Sequence, residues 1–340
     1  MADMQTLAKP VQTTSLSVAK ANLPPDLSAL LDPIEQVMID SVGFVLAEAR
    51  EGISQHLQAI GGRMFPDSFF ATAVVEPEGT RSAEEDLQEL LEIQAQALEA
   101  SVSKASEAAW NLDVHGPMLK LATRGSGVRR LLVTTATVSP EWLPLMRGVE
   151  AAAPQSVSFS AGSVSGPCYG GEGDVTVAGA RMVDFALVLQ VASTPLEAPI
   201  YQAVYRTGYG VQPINHSAYT PLLNRPIGVS IETKNTGRNL ETAQVRLSLW
   251  AVAWLRRMEA LGNGARVPLA MPVIQVVGHI WKLSFVCDLG EHYETFEDGI
   301  AIGSTDSLVQ LYKLLAVLRI LIRWMDTEFR ATIAAILDAN

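Results

Sequence analysis

One apolar run that ends in two opposite charges constrains the fold of this chain more than any other feature. Residues 226–234 read P-I-G-V-S-I-E-T-K, which is typical of a buried strand. Because side chains alternate across a strand, Glu232 and Lys234 are predicted to share one face at its end. An isolated E-x-K is more typical of an ion pair at a sheet edge, whereas the same pair in a cleft can help to hold a metal ion and activate water.

The composition is typical of a globular protein and excludes some classes of partner. The chain has 340 residues, 48% of them hydrophobic and 18% charged, and a formal net charge of -11. Since duplex binding relies on basic surfaces, we expect no long-duplex DNA partner. The absence of a secretory leader, of a membrane span and of a cysteine framework predicts a soluble cytoplasmic protein with no membrane partner. The oligomeric state is left open.

The hydrophobic pattern predicts three parts along the chain. Residues 1–25 are predicted to be a disordered tail, residues 26–80 an N-terminal helical segment, and residues 81–340 one α/β domain. Helices are predicted over 83–110, 240–261 and 307–337, and strands over 129–138, 181–191, 226–234, 272–279 and 280–287. This order predicts a mixed sheet flanked by helices.

A second acidic residue interrupts an apolar strand upstream of the E-x-K. Asp184 lies in the run R-M-V-D-F-A-L-V-L-Q-V, where an unpaired carboxylate would be costly, so an edge, a bend or a site is expected. Asp184 and Glu232 on separate strands suit a hard divalent ion that keeps several waters, which makes Mg²⁺ the candidate cofactor. Lys234 would then stabilise phosphoryl charge or orient water.

The order of these motifs resembles a known family. Glu107 stands in S-E-A-A-W-N-L-D-V-H and Asp184 in M-V-D-F. Glu232 and Lys234 stand in R-P-I-G-V-S-I-E-T-K. The run P-I-N-H-S-A-Y-T-P-L comes before this last motif, and Gln244 comes after it. Over residues 80–290 this order resembles the fungal PD-(D/E)XK nuclease-like proteins. The resemblance implies a restriction-endonuclease-like fold, with Glu107 as a helix-borne acid. It also implies Asp184 and Glu232 as metal-binding acids and Lys234 as catalytic base or stabiliser.

A second acidic group lies at the start of the predicted helix over 83–110. Glu85 and Glu89 are four residues apart and share one helix face, with Asp86 adjacent to them. The group is typical of a solvated first turn near the positive end of a helix. Alternatively, it forms a carboxylate fork for a guanidinium group.

This acidic group carries a further resemblance. The run E-D-x-x-E is similar to the D-D-x-x-E hallmark of arginine-containing cyclodipeptide synthases, a branch of the same fungal family, with Glu85 in place of the first Asp. The resemblance implies Glu85, Asp86 and Glu89 as essential acids. It also implies a transferase of secondary metabolism that condenses an arginyl group from aminoacyl-tRNA with a second aminoacyl group. Such an enzyme contacts only the acceptor end of tRNA, which suits an acidic body.

Three functions are therefore compatible with the sequence. The first is the tRNA-dependent cyclodipeptide synthase, which the two resemblances together place ahead. The second is a Mg²⁺-dependent nuclease that uses Asp184, Glu232 and Lys234. The third is a catalytically silent nuclease-like binding protein.

Overall fold

The protein is built around a mixed sheet. The computed structural model describes residues 2–20, 23–71, 82–145, 147, 183–205, 210–235 and 240–339. Seven strands pair within these residues: β1 (Val11–Ser15), β2 (Val128–Leu132), β3 (Phe185–Leu189), β4 (Ile227–Lys234), β5 (Met271–Val277), β6 (Ile280–Asp288) and β7 (Tyr293–Ser304). Their order across the sheet is β1-β7-β6-β5-β4-β3-β2.

Strand direction confirms the mixed character of the sheet. The pairs β1–β7 and β4–β5 are parallel, and the other neighbouring pairs are antiparallel. All side chains of β3 are buried, and so are those of β4 from Ile227 to Thr233. Because burial on both faces requires cover on both faces, these central strands lie between packed layers. The apolar run at 226–234 is thus a buried strand, as its sequence predicts.

Helices make up the remaining regular structure. They are α1 (Ala2–Gln5), α2 (Leu16–Ala19), α3 (Pro25–Glu35), α4 (Arg50–Ala59), α5 (Ala83–Val102), α6 (Glu107–Trp110), α7 (Gly116–Thr123), α8 (Glu197–Val204), α9 (Leu240–Leu261), α10 (Leu308–Trp324) and α11 (Arg330–Asp338). Helix α9 packs against β4, β5 and β6, and α10 packs against β7, α3, α5 and α7. Among the described residues, no helix has the length and apolar character that crossing a membrane requires.

The prediction of a disordered tail over residues 1–25 is wrong for the part that the structure describes. Residues Val11–Ser15 form β1, which pairs in parallel with β7, and Leu7 and Val11 are buried. Lys9 binds Asp288 with an Nζ–Oδ1 distance of 2.6 Å. The partner strand lies far away in sequence, so no local pattern around residues 11–15 indicates this pairing.

The predicted helix over 83–110 is divided in two. Helix α5 begins as expected, with the Ser82 hydroxyl accepting the Glu85 backbone N–H at 3.3 Å. It ends at Val102, and Lys104 adopts a left-handed conformation with φ of 52°. Ser106 then caps α6 through the backbone N–H of Ala109. The break matters because it gives Glu107 a direction independent of the long helix.

The N-terminal helical segment joins the same core as the sheet. Helix α3 and the π-helix that follows it, Gln36–Asp40, pack against α10. Their buried residues Leu27, Leu31 and Ile34 belong to the hydrophobic cluster that also contains the residues of β3 and β4. The segment therefore adds a layer to the α/β fold.

Gly303 is required where β7 passes α10. Its φ is +135°, and a Cβ placed there would lie 2.7 Å from the Gln310 carbonyl oxygen and 2.9 Å from the Leu314 backbone nitrogen. We expect Gly303→Ala to lower the free energy of unfolding by about 3 kcal/mol, because it combines backbone strain with a clash against a helix backbone. Urea denaturation measures the loss.

The matched control for this substitution is Gly290→Ala. Gly290 also has a positive φ, of +92°, but a Cβ there would meet no atom within 4 Å among the described residues. It should cost only the conformational strain, about 1 kcal/mol. Equal losses for the two variants would contradict the close approach of β7 and α10.

Candidate functional site

The end of β4 places a carboxylate and an ammonium group in contact. Strand β4 pairs with β3 on one side and β5 on the other, and Glu232 lies opposite Gln275. The Glu232 side chain is 4% exposed, and its Oε1 lies 2.8 Å from the Nζ of Lys234. The predicted sharing of one strand face is confirmed. This is not an exposed pair on an edge strand, because β4 is a central strand and the Glu232 carboxylate is buried.

Asp184 lies beside this pair because β3 and β4 are antiparallel. It immediately precedes β3, and the start of β3 lies beside the end of β4. Its Oδ2 accepts hydrogen bonds from the backbone N–H and the hydroxyl of Thr233, at 2.8 and 2.9 Å. These bonds hold Asp184 against the E-T-K end of β4. Asp184 therefore lies at a bend, which is one of the places expected for it.

Glu107 completes the cluster from the other side. The Nζ of Lys234 lies 3.4 Å from both carboxylate oxygens of Glu107 and 2.6 Å from the backbone carbonyl oxygen of Thr233. The ammonium group is therefore surrounded by oxygens from Glu107, Glu232 and Thr233. Residues from three separate segments of the sequence thus form the Lys234 cluster: Glu107, Asp184, Glu232 and Lys234.

Arg246 also reaches the cluster, which the sequence interpretation missed. Its guanidinium NH1 lies 3.9 Å from Oε1 of Glu232. It extends from α9, the helix that follows β4 in the chain. The sequence does contain a signal for Arg246, because a cation in the first turns of the helix that follows an E-x-K strand can reach the end of that strand. Gln244, two residues before Arg246 on α9, has a buried amide nitrogen with no hydrogen-bond partner among the described residues.

Burial dominates the electrostatics of the cluster. Burial raises the pKa of Glu232 to about 7, the nearby Asp184 charge adds to this rise, and the hydrogen bond from Lys234 opposes it. Burial also raises the pKa of Glu107. Burial by itself lowers the pKa of Lys234. The hydrogen bond to Glu232 and the negative charges of Glu232, Glu107 and Asp184 outweigh the effect of burial, so the pKa of Lys234 is raised. Lys234 is therefore an ammonium ion at neutral pH.

The donor atoms of the Lys234 cluster fit a hard cation with retained waters. Among the described residues, no three carboxylate, histidine or cysteine side chains converge closely enough to hold a metal by themselves. Mg²⁺, however, needs only one or two carboxylates, with waters completing its coordination. Oxygens of Glu232, Glu107 and Thr233 already surround one cation, the ammonium group of Lys234. Asp184 and Glu232 are the residues that would hold the metal.

The second acidic group does not act as one unit. Glu89 binds Arg124, and the Oε2 of Glu85 lies 3.7 Å from the same guanidinium group. The expected carboxylate fork thus exists, but it holds an arginine of the chain itself. Asp86 is buried on another side of α5 and binds Arg319 with an Oδ2–NH2 distance of 2.6 Å. Glu85 and Glu89 therefore face Arg124 while Asp86 faces Arg319, because consecutive helix residues point about 100° apart. The role of these three residues as essential acids stays a prediction.

Comparison with known protein families finds a match that spans the Lys234 cluster. A family model described as the PD-(D/E)XK nuclease superfamily matches residues 56–330. The match includes every residue of the cluster and leaves β1 outside. No curated protein and no solved structure matches the chain.

The raised pKa of Glu232 predicts a pH-dependent stability of the metal-free protein. Its folded-state value of about 7 exceeds the ordinary 4.5, so the folded chain retains a proton that the unfolded chain releases between these values. This stabilisation is complete below pH 4.5 and is lost as pH rises through 7. We expect the free energy of unfolding to fall by up to about 3 kcal/mol over this interval from Glu232 alone.

Urea denaturation in the presence of a chelator, between pH 4.5 and 8, measures this dependence. Glu232→Gln should remove the Glu232 part of the slope, because the amide does not titrate. Glu99→Gln, which changes an exposed carboxylate on α5, is the matched control and should keep the wild-type slope. An unchanged slope in Glu232→Gln would contradict the burial of an ionisable Glu232.

Proposed function

The chain belongs to the PD-(D/E)XK nuclease superfamily, and from this premise we propose that it hydrolyses phosphodiester bonds of nucleic acid at the Lys234 cluster. The observation that carries the proposal is the ammonium group of Lys234, which lies among oxygens of Glu232, Glu107 and Thr233. Asp184 is held next to it by two hydrogen bonds from Thr233. Acids that can hold a metal ion, next to a lysine that can stabilise phosphoryl charge, suit metal-assisted phosphodiester hydrolysis.

The charges of the cluster favour binding of a divalent cation. Three carboxylates, Glu107, Asp184 and Glu232, face two cations, Lys234 and Arg246. The raised pKa values of Glu232 and Glu107 reflect the cost of keeping these acids ionised in a partly buried place. When bound, Mg²⁺ would relieve this cost, stabilise charge on a phosphoryl group and polarise water.

The residues of the Lys234 cluster then divide three roles among them. Asp184 and Glu232 would hold the cation at the end of β4. Lys234, which stays protonated, stabilises the negative charge that develops on the phosphoryl oxygens as water attacks phosphorus and the bond to the leaving oxygen breaks. Glu107, whose side chain is 36% exposed, lies on the accessible side of Lys234 and accepts the proton from the attacking water.

The overall charge suggests which nucleic acids to test. A net charge of -11 opposes a long contact with duplex DNA, so short or single-stranded substrates suit the chain better. A panel of supercoiled plasmid, single-stranded DNA and single-stranded RNA covers these possibilities.

Removal of Lys234 should abolish the proposed cleavage. We expect Lys234→Ala to reduce the Mg²⁺-dependent rate at least about 100-fold, because it deletes the cation that stabilises the transition state. Lys282→Ala, which removes an exposed lysine on β6, should cleave like the wild type. The measurement is the initial rate of cleavage on the three substrates with Mg²⁺ or Mn²⁺. Cleavage by Lys234→Ala at the wild-type rate, or none by the wild type, would overturn the proposal.

The cyclodipeptide synthase has weaker support in the geometry. Its essential acids would be Glu85, Asp86 and Glu89, but Arg124 occupies the fork and Asp86 binds Arg319. An incoming arginyl group would have to displace Arg124 from two carboxylates. The structure of α5 therefore supports a stabilising role for these ion pairs.

Mass spectrometry separates the two functions. We expect a host that expresses the wild-type chain to accumulate no arginine-containing diketopiperazine in its medium, because the fork is filled. The untransformed host is the control for background cyclisation. If such a product appears, and disappears in a Glu89→Ala strain, the synthase function replaces the nuclease function.

A further inference from the structure

Two adjacent arginines lie on the edge strand of the sheet, on the side of Asp184. Arg129 and Arg130 belong to β2, and the described chain places no further strand beyond it. Arg129 lies opposite Val188 on β3, and Arg130 lies opposite Leu187. Because successive side chains of a strand point to opposite faces, the two guanidinium groups extend on either side of one sheet edge.

The positive charge of this pair is not balanced by the described part of the chain. Neither guanidinium group forms an ion pair or donates a hydrogen bond to another described residue, whereas Arg319 binds a carboxylate. Burial lowers the pKa of Arg130, and the neighbouring charge of Arg129 lowers it further. A partly buried cation without a counter-charge is costly, so this edge of the sheet suits an anionic ligand.

Arg130 is held in place by the helix that covers its face of the sheet. Its NH1 and Cζ atoms would lie 3.6 and 3.8 Å from a Cβ placed on Gly116, at the start of α7. The guanidinium group therefore lies against the backbone of α7, which positions it without providing a negative charge. Arg129, on the other face, is exposed. One cation is thus positioned by packing, and its neighbour is directly accessible to a ligand.

The strand that carries the arginines leads to the Lys234 cluster. Val133, the residue after β2, donates its backbone N–H to the carbonyl oxygen of Asp184 at 2.8 Å. Arg130 precedes Val133 by three residues, which corresponds to about 10 Å along a strand. Leu132, between them, is 53% exposed, so this part of β2 is open to solvent. A polyanion that contacts Arg130 can therefore extend to the cluster.

We propose that Arg129 and Arg130 bind two backbone phosphates of a single-stranded nucleic acid, next to the bond that the Lys234 cluster cleaves. A guanidinium group matches a phosphate in charge and geometry, because it presents several N–H donors in one plane. The inference rests on the proposed function for the identity of the strand as substrate. Two local cations contact few phosphates, which suits a short single strand on a chain with a net charge of -11.

Binding of a labelled oligonucleotide in the presence of a chelator tests this surface apart from cleavage. Fluorescence anisotropy of a short single-stranded DNA, and of the RNA of the same sequence, is measured with the full chain over a range of salt concentrations. We expect saturable binding of at least one of the two, which weakens as salt rises because phosphate contacts release counterions. The two arms distinguish DNA from RNA as the bound strand.

Loss of the arginines should change the salt dependence by a defined amount. For a single strand, each phosphate contact contributes about 0.7 to the slope of log affinity against log salt. Arg129→Ala and Arg130→Ala should each reduce this slope by about 0.7, and the double variant should reduce it by about 1.4 and the affinity at least about tenfold. Arg130→Lys, which keeps the charge, should keep most of the slope.

The matched control is Lys20→Ala, which removes an exposed cation near the opposite edge of the sheet. Lys20 follows α2, which in turn follows the edge strand β1, and its side chain is 60% exposed. This variant should keep the wild-type slope. Urea denaturation checks for a purely structural role, since Arg130→Ala removes a cation without a partner and should not lower the free energy of unfolding. Arg129→Ala, at an exposed position, remains decisive if Arg130→Ala unfolds.

The outcomes separate this proposal from the nuclease function. If neither oligonucleotide binds the wild type, or if the double variant keeps the wild-type slope, the proposal is overturned. It is also overturned if a polyglutamate peptide of equal charge binds as tightly as the oligonucleotide, because the partner is then an acidic protein. Binding with the expected slopes but without cleavage in Mg²⁺ supports this surface and rejects the nuclease function.

Discussion

The burial of a carboxylate at the end of a central strand is the constraint on which the site depends. Strand β4 is covered on both faces, so the Glu232 carboxylate at its end is removed from most of the solvent. An ionised carboxylate in such a place needs a cation and hydrogen bonds nearby. Lys234 and, from α9, Arg246 supply the positive charge. The acid-rich surroundings in turn keep Lys234 protonated, which makes it suited to stabilising negative charge.

Two further constraints give the site its acids. The antiparallel pairing of β3 and β4 brings Asp184 to Thr233, and the break after α5 directs Glu107 to Lys234. Neither depends on the other, yet both converge on the same ammonium group. A fold that lost either contact would keep its sheet but lose the arrangement of charges on which the proposed chemistry depends.

The first turns of α5 show why a motif is not a site. Three acids within five residues have the composition of a single binding group, and the sequence resemblance gave them one function. In the helix they diverge, because each residue turns the side chain by about 100°. Glu85 and Glu89 share Arg124, whereas Asp86 is buried and binds Arg319. The acids that the resemblance implies as substrate contacts thus form ion pairs within the chain.

The sequence by itself determined several of the elements and the family. The buried strand, the E-x-K at its end, the helix over 240–261 and the hairpin over 272–287 all follow from local periodicity, and the ordered motifs indicate the superfamily. Only the tertiary structure decided the pairing of β1 with β7, the approach of Arg246 and the division of the acidic group. The ion pair of Asp86 and Arg319 is also a result of tertiary structure, since the two residues are 233 positions apart. Local patterns report which residues a strand or helix buries, but contacts between distant segments depend on how the layers pack.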